Sequence, residues 1–303
     1  MHRTARAQVA VFVVGLCLMG VLPCVSSAGT DVTNQSAPPR PFIVFDATLY
    51  KNKPSFVGYP VRPITLIYEA QLFPGSHAAA AMPPEQTVRS IAKELKKTSE
   101  PVILDIERWM LKGDAQAVHT SVNKFLAVVS WMKDEAPNLQ IGAYGTVPLP
   151  DYWRAIRGQT HKEYRAWQQD NDRLDEMAAQ LDALYPSLYT FYPDRQGWVT
   201  YAVGQIREAR RKANGKPVYA FLWPQYHDGG RGIQAQFPIE SDFWELQLNT
   251  MLREADGIVI WGGWGAHGPD PWNEDAPWWQ VTKRFLKQIG SPAPNPPTHL
   301  LVR

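Results

Sequence analysis

The sequence predicts an α/β fold on two observations. Short apolar runs recur along the chain, and several are apolar on both faces, which is typical of parallel strands covered by helices. The runs lie at residues 42–45, 64–68, 102–104, 140–144, 183–185, 218–221 and 257–261. Between them, apolar residues at helical spacing predict amphipathic helices at residues 88–95, 118–132 and 174–181.

This alternation continues over about 250 residues, the usual size of a TIM barrel. We therefore predict a TIM-like (β/α) barrel. It would be a distorted one, because only the strands named above are clear and the standard barrel has about eight. The alternative is a doubly wound open sheet. It is disfavoured because no Gly-rich phosphate-binding loop follows the first strand.

Composition and charge limit the class of protein. The chain has 303 residues, enough for one large domain, and a formal net charge of +2. Such a balance, without long runs of one sign, gives no indication of a nucleic-acid partner. The histidines do not show the spacing of a metal site, so we expect neither a metal nor another cofactor.

The first 28 residues have the pattern of a bacterial-type signal peptide. Basic residues precede an apolar run at 9–22, and Ser26 and Ala28 supply small residues at a cleavage site after residue 28. The run is short for a membrane span, so a retained anchor is the disfavoured alternative. We expect a periplasmic or secreted protein without a stable membrane span after cleavage.

Three further segments follow the predicted signal peptide. We predict that residues 29–40 form a flexible tether and that residues 41–289 form the barrel. Residues 290–303 are predicted to form a Pro-rich, extended tail. Both cysteines, Cys17 and Cys24, lie in the signal peptide. The mature chain would therefore have neither a disulfide nor a thiol for catalysis. The sequence gives no oligomeric state.

Asp105 and Glu107 are the strongest candidates for catalysis. They follow the apolar run 101–104, and because side chains alternate along a strand, both carboxyls point to the same face. Burial and mutual repulsion should raise the pKa of at least one of them. Glycoside hydrolases use such an arrangement to keep a general acid protonated near neutral pH. The alternative is a non-catalytic pair held by neighbouring Arg and amide groups.

Polar and aromatic residues also collect at the carboxyl ends of the other predicted strands, where TIM barrels carry their active sites. They are Asp46, Glu69, Tyr144, Tyr189, Trp223, Tyr226, Trp261 and Trp264. The alternative for Asp46 and Glu69 is a strand-end cap or a group that supports the site. The chain has 12 Trp and 12 Tyr, and such rings can form platforms for sugars. Four others, Trp109, Trp131, Trp153 and Trp167, are expected in the core.

Five motifs, in order, resemble the hyaluronidase family of glycoside hydrolases. They are residues 82–86 with the helix to 95, residues 102–109 (Val-Ile-Leu-Asp-Ile-Glu-Arg-Trp), residues 142–145 followed by Pro148, residues 171–174 with 184–189, and residues 255–262. The resemblance runs from about residue 42 to residue 289. It suggests a divergent, secreted member of bacterial type, although ancestry does not fix the substrate.

The resemblance implies hydrolysis of a glycan containing a 2-acetamido sugar, by substrate-assisted retention. Glu107 would be the general acid and base, and Asp105 would orient the acetamido group, which itself attacks the anomeric carbon. Tyr144 and Tyr189 would hydrogen-bond around that group, and Trp261 would pack against its methyl. Asp46, Glu69, Tyr226 and Trp264 complete the predicted substrate-binding residues.

The chain also departs from the family. The family's disulfides are missing. After Gly262, Trp264 stands where the family has polar contacts, so we predict that Trp264 forms a stacking platform for a sugar. These departures leave the sugar open. Two alternatives remain for the function. One is a carbohydrate-binding protein without turnover, and the other is a glycosidase of different specificity that uses Glu69 or Asp46 as a second carboxylate.

Overall fold

Parallel strands form the centre of the structure. The computed structural model describes residues 41–75, 81–227, 237–265 and 267–290. In these ranges the strands are β1 (Ile43–Thr48), β2 (Val61–Pro63), β3 (Thr65–Tyr68), β4 (Val102–Asp105), β5 (Ile141–Ala143), β6 (Tyr219–Leu222), β7 (Gly257–Gly262), β8 (Trp264–Gly265) and β9 (Gly268–Pro269). The predicted signal peptide, tether and almost all of the tail lie outside the described residues.

Helices follow most of the strands. They are α1 (Glu69–Leu72), α2 (Glu85–Leu95), α3 (Ala115–Glu135), α4 (Tyr152–Ala155), α5 (Lys162–Asp172), α6 (Asp175–Gln180), α7 (Arg195–Ala213), α8 (Ser241–Glu254) and α9 (Pro277–Gly290). Aspartate side chains cap the N-termini of two helices. The Asp114 carboxylate accepts the backbone N–H of Ala117 at the start of α3, and the Asp194 carboxylate accepts that of Gly197 at the start of α7. Among the described helices, none is long and apolar enough to cross a membrane.

The strands form two parallel sheets. One has the order β2-β1-β7-β6 and the other β3-β4-β5, while β8 and β9 pair as an antiparallel hairpin. Only Ile64 separates β2 from β3, although the two strands belong to different sheets. The predicted α/β class with parallel strands is therefore present.

The predicted strand at 183–185 is replaced by single bridges. Tyr185 pairs with Tyr144 beyond β5, while Leu184 and Ser187 pair with Val218 and Phe221 at β6. Pro186 explains the irregularity, because proline has no N–H to donate to a ladder. The segment 184–190 thus runs between the two sheets without being a regular strand.

Alternate residues along each strand pack into two different clusters. An inner cluster joins side chains from several strands: Phe45, Ala47, Ile103, Ala183, Tyr185, Tyr189, Phe221, Trp223 and Val259. An outer cluster joins their neighbours in sequence, such as Val44 and Leu104, to residues of the helices. Asp105 follows Ile103 by two positions, so its side chain lies on the face of the inner cluster.

Candidate active site

Two adjoining cavities open at the carboxyl ends of the parallel strands. The inner cavity, about 180 Å³, is lined by Leu66, Asp105, Glu107, Tyr144, Tyr189, Phe221, Trp223, His227 and Trp261. The outer cavity, about 290 Å³, is lined by Ile106, Glu107, Trp109, Leu111, Tyr144, Gly145, Thr146, Leu149, Pro150, Ser187, Tyr189, Phe191 and His227. Glu107 lies on the wall of both cavities. The structure thus brings Asp105, Glu107, Tyr144, Tyr189 and Trp261 together.

A larger cavity of about 420 Å³ lies at the opposite end of the strands. Its walls include Ile43, Ile141 and Tyr219, which are the first residues of β1, β5 and β6. We place the candidate site at the smaller cavities, because parallel α/β sheets carry their functional groups at the carboxyl ends of the strands.

Asp105 is the electrostatically strained group of the site. Its Oδ1 atom is buried and has no hydrogen-bond partner. Burial, together with the neighbouring charges of Glu107 and Glu69, raises the pKa of Asp105 from 3.8 to about 7, and burial is the largest cause. A buried acceptor without a donor is costly in a folded protein, so the inner cavity presents an unmet hydrogen bond to a ligand.

Glu69 holds the backbone of the segment that carries Glu107. Its Oε1 accepts the backbone N–H groups of Glu107 at 2.7 Å and of Arg108 at 2.6 Å, and its Oε2 accepts Arg108 Nε at 3.0 Å. The guanidinium group also lies over the Phe73 ring, 3.8 Å from its centroid. The carboxylate of Glu69 is therefore occupied. Glu69 positions the segment that carries Glu107 and does not line either cavity.

Aromatic side chains form the remaining wall of the inner cavity. Trp261 Nε1 donates to Tyr68 Oη at 3.2 Å, and the Trp261 and Tyr189 rings stack with centroids 5.9 Å apart. Tyr144 Oη lies 3.0 Å from Ser187 Oγ. Burial raises the pKa of Tyr68, Tyr144 and Tyr189, so all three phenols are neutral hydrogen-bond donors at physiological pH.

Asp46 lies on the opposite face of its strand. Its neighbours Phe45 and Ala47 belong to the inner cluster, so alternation turns Asp46 outward. There its carboxylate accepts Lys53 Nζ at 2.6 Å and Thr48 Oγ1 at 2.6 Å. The structure therefore does not bring Asp46 to the cleft, and neither Asp46 nor Glu69 is available as a second catalytic carboxylate.

Tyr226 is also turned away from the cavities. Its hydroxyl donates to Glu240 Oε2 at 2.9 Å, and its ring packs in the outer cluster. The next residue, His227, lines both cavities in its place, and Trp223 lines the inner one. The sequence signal for Trp223 is its even spacing from Phe221, which faces inward.

Two of the tryptophans that the sequence singled out, Trp264 and Trp153, are exposed at the surface. Trp264 is 48% exposed and lies in β8, after β7, but it is not among the residues lining the two cavities. Trp153 is 58% exposed, which corrects the expectation that it is a core residue. Trp109 and Trp167 are buried as expected, while Trp131 is half-buried. Trp153 lies in α4, three residues after Pro150 of the outer cavity wall, and its exposed indole contacts the Tyr192 ring.

The architecture can now be compared with known proteins. The chain shares its fold with bee venom hyaluronidase. A crystal structure of that enzyme aligns with a TM-score of 0.55 and 15% identity, over 82% of this chain and 97% of the other. Its complex with a hyaluronic acid tetramer aligns with a TM-score of 0.56 and 15% identity, over 82% of this chain and 96% of the other. The sequence matches no known family profile and no curated protein.

The comparison concerns the fold alone at this identity. The predicted resemblance is thus supported as a distant likeness of fold to a glycosidase. Function has to be argued from the residues of the cleft, because one fold supports many activities.

Proposed function

We propose that this protein is a hyaluronidase-like glycoside hydrolase that cleaves a glycan containing a 2-acetamido sugar. The observation that carries the proposal is the pair Asp105 and Glu107 in one cleft, with Asp105 Oδ1 buried and without a partner. An amide N–H of the substrate would supply the hydrogen bond that Oδ1 lacks. The 2-acetamido group offers that N–H directly beside the anomeric carbon.

Glu107 acts in both steps of the reaction. Its carboxyl group donates a proton to the oxygen of the leaving sugar while the acetamido oxygen attacks the anomeric carbon and the glycosidic bond breaks. Its carboxylate then takes a proton from the water that opens the cyclic intermediate. Exposure on the walls of both cavities gives Glu107 access to the bond between two sugars and to water.

Asp105 orients the group that attacks. As a carboxylate it accepts the acetamide N–H, which turns the acetamide oxygen toward the anomeric carbon and favours the positive charge that develops on the nitrogen. Since Asp105 retains a proton up to about pH 7 in the free protein, it must release that proton when it accepts the acetamide N–H as a carboxylate. No carboxyl other than these two lies among the described lining residues, which suits a reaction whose nucleophile is the substrate itself.

We also propose that the two sheets close into a barrel and that the protein is exported. The two parallel sheets would close into a TIM-like barrel, since β2 leads into β3 through Ile64 and the segment 184–190 bridges β5 and β6. The predicted signal peptide supports a periplasmic or secreted enzyme.

A substrate screen tests the proposal. Purified protein from residue 29 onward is incubated with hyaluronan, chondroitin, chitin oligomers and peptidoglycan fragments, and new reducing ends are measured. We expect turnover of at least one of them, with retained anomeric configuration by NMR spectroscopy. Binding without turnover would favour a carbohydrate-binding protein, and inversion of configuration would exclude the acetamido nucleophile.

Glu69→Gln should lower kcat with little change in KM. The amide keeps one acceptor but loses the charge that binds Arg108, so the segment around Glu107 becomes looser. A displacement of about 1 Å of a catalytic group costs on the order of tenfold to a hundredfold in rate. Steady-state kinetics with circular dichroism would measure this. Equal loss in kcat and folded fraction would mean that Glu69 is only structural.

Trp264→Ala should weaken oligosaccharide affinity several-fold and leave the thermal midpoint nearly unchanged. The indole is about half exposed, and stacking on an aromatic face contributes on the order of 1 kcal/mol. Calorimetric titration and thermal unfolding would be compared for the two proteins. A large fall in melting temperature with unchanged affinity would instead show that the indole plugs the rim of the fold.

A further inference from the structure

The position of Glu107 between the two cavities divides the cleft into two sides. This inference rests on the proposed function. If the 2-acetamido ring occupies the inner cavity beside Asp105 and Trp261, the leaving sugar must occupy the outer cavity, because Glu107 protonates the oxygen that joins the two rings. The chemistry of the outer cavity therefore selects the leaving sugar.

The geometry points to an uncharged leaving sugar: we propose that the substrate is a neutral polymer of 2-acetamido sugars and not a uronic acid copolymer such as hyaluronan. The described lining of the outer cavity contains apolar and aromatic groups, such as Trp109, Leu111 and Phe191, but neither lysine nor arginine. A uronate there would lie next to Glu107, and the Asp105 carboxylate that binds the acetamide lines the adjoining inner cavity, so the two negative charges would repel each other.

Two cations that are neighbours of lining residues in sequence, Arg108 and Lys112, are already paired with acidic groups. Arg108 lies 3.0 Å from Glu69. Lys112 is next to Leu111 in sequence and contacts Asp151 at 2.9 Å, a carboxylate that also accepts Arg154 at 2.8 Å. Both cations are thus partly neutralised by carboxylates already, which weakens their attraction for a uronate.

An aromatic path leads from the outer cavity to the surface. Phe191 on the cavity wall contacts Tyr192, with ring centroids 6.5 Å apart, and Tyr192 contacts the exposed Trp153 at 5.7 Å. Exposed indole faces bind the apolar faces of neutral sugars. The path suits further rings of a polymer on the leaving side, so Trp153 would bind the chain beyond the cleaved bond.

Native hyaluronan and carboxyl-reduced hyaluronan provide the decisive test, since reduction turns each uronate carboxylate into an uncharged hydroxymethyl group and leaves the sugar backbone and its linkages unchanged. We expect the reduced polymer, and a chitin hexamer, to be cleaved with a kcat/KM at least about tenfold above that of native hyaluronan. Added salt should raise turnover of the native polymer by screening the repulsion, and should leave the reduced polymer unaffected.

Equal or faster cleavage of native hyaluronan would overturn the inference and leave the proposed function intact. So would a preference for the native polymer that disappears in Lys112→Gln or His227→Gln, because carboxylate recognition would then belong to that residue. Turnover of none of the three polymers would overturn the inference. The proposed function would fall with it only if the substrate screen also found no turnover of chondroitin and peptidoglycan fragments.

Two variants extend the test. Leu111→Arg should narrow the difference between the polymers several-fold by placing a cation at the rim, whereas the control Leu111→Gln, which adds polarity without charge, should not. Trp153→Ala should lower kcat/KM several-fold on long chains but not on substrates with a single leaving sugar, and Trp153→Phe should retain most of the activity. An unchanged ratio in Leu111→Arg, or equal effects of Trp153→Ala on all lengths, would contradict the proposal.

Discussion

Glu107→Gln is expected to abolish turnover and to leave the fold and glycan binding nearly unchanged. The amide has the shape of the carboxyl group but can neither donate a proton to the leaving oxygen nor take one from water. General acid–base catalysis contributes about 10² to 10⁴ in rate, and Glu107 serves in both steps. The measurement is kcat on the glycan found in the screen, together with binding by calorimetric titration.

A matched control separates the catalytic role from the loss of a charge. Glu245 is an exposed glutamate of α8, and Glu245→Gln makes the same chemical change outside the cleft. We expect activity of this control within a factor of about two of the wild type, since surface substitutions away from special features usually have small effects. Activity of Glu107→Gln within a few-fold of wild type would remove Glu107 from its assigned role.

The fold could be predicted to a large extent from local patterns. Apolar runs placed most strands within a few residues, because strands buried on both faces have a simple composition. The segment 183–185 was harder, since Pro186 prevents a regular ladder even though Ala183 and Tyr185 face the inner cluster. The hairpin of β8 and β9 has two residues in each strand, too short for any periodic signal.

The candidate site was predictable only in part, and strand alternation explains the difference. Asp46 lies in the second half of β1 and Tyr226 follows β6, yet their neighbours Ala47 and His227 are the residues on the inner side. The position of a residue along its strand determines at which end of the sheet it lies. Its odd or even spacing from an inward-facing residue determines on which face its side chain lies. A side chain reaches the cleft only if both are right. Glu69 could not be placed from sequence at all, because its partners lie 38 and 39 residues away along the chain.

The buried Asp105 lowers the stability of the folded protein once it is charged. Burial and the neighbouring carboxylates raise its pKa from 3.8 to about 7 in the folded protein. Below about pH 4 both folded and unfolded states hold the proton, so Asp105 has no effect on stability. Between pH 4 and 7 the unfolded state releases the proton first, so stability falls as pH rises. Above pH 7 the full cost remains.

Asp105→Asn should therefore raise the free energy of unfolding at pH 8 and have little effect near pH 4. At about 1.4 kcal/mol per pKa unit, the shift sets an upper bound of roughly 4 kcal/mol on the gain. Denaturant unfolding at pH 4.5 and pH 8 would measure it. Activity should be lost, because the amide oxygen can accept the substrate N–H but carries no negative charge to stabilise the positive charge that develops on the acetamide nitrogen.

Asp46→Asn is the matched control, and it should change stability in the opposite direction at pH 8. Both aspartates belong to parallel strands, Asp46 within β1 and Asp105 at the end of β4. Asp46 is paired with Lys53 on the outer face, so removing its charge loses a favourable contact. If Asp105→Asn is no more stable than wild type at pH 8, the pair of carboxylates is not strained and Asp105 does not hold a proton near neutrality. If Asp105→Asn is more stable but inactive, and Asp46→Asn is less stable, the charge of Asp105 destabilises the folded protein and is needed for activity.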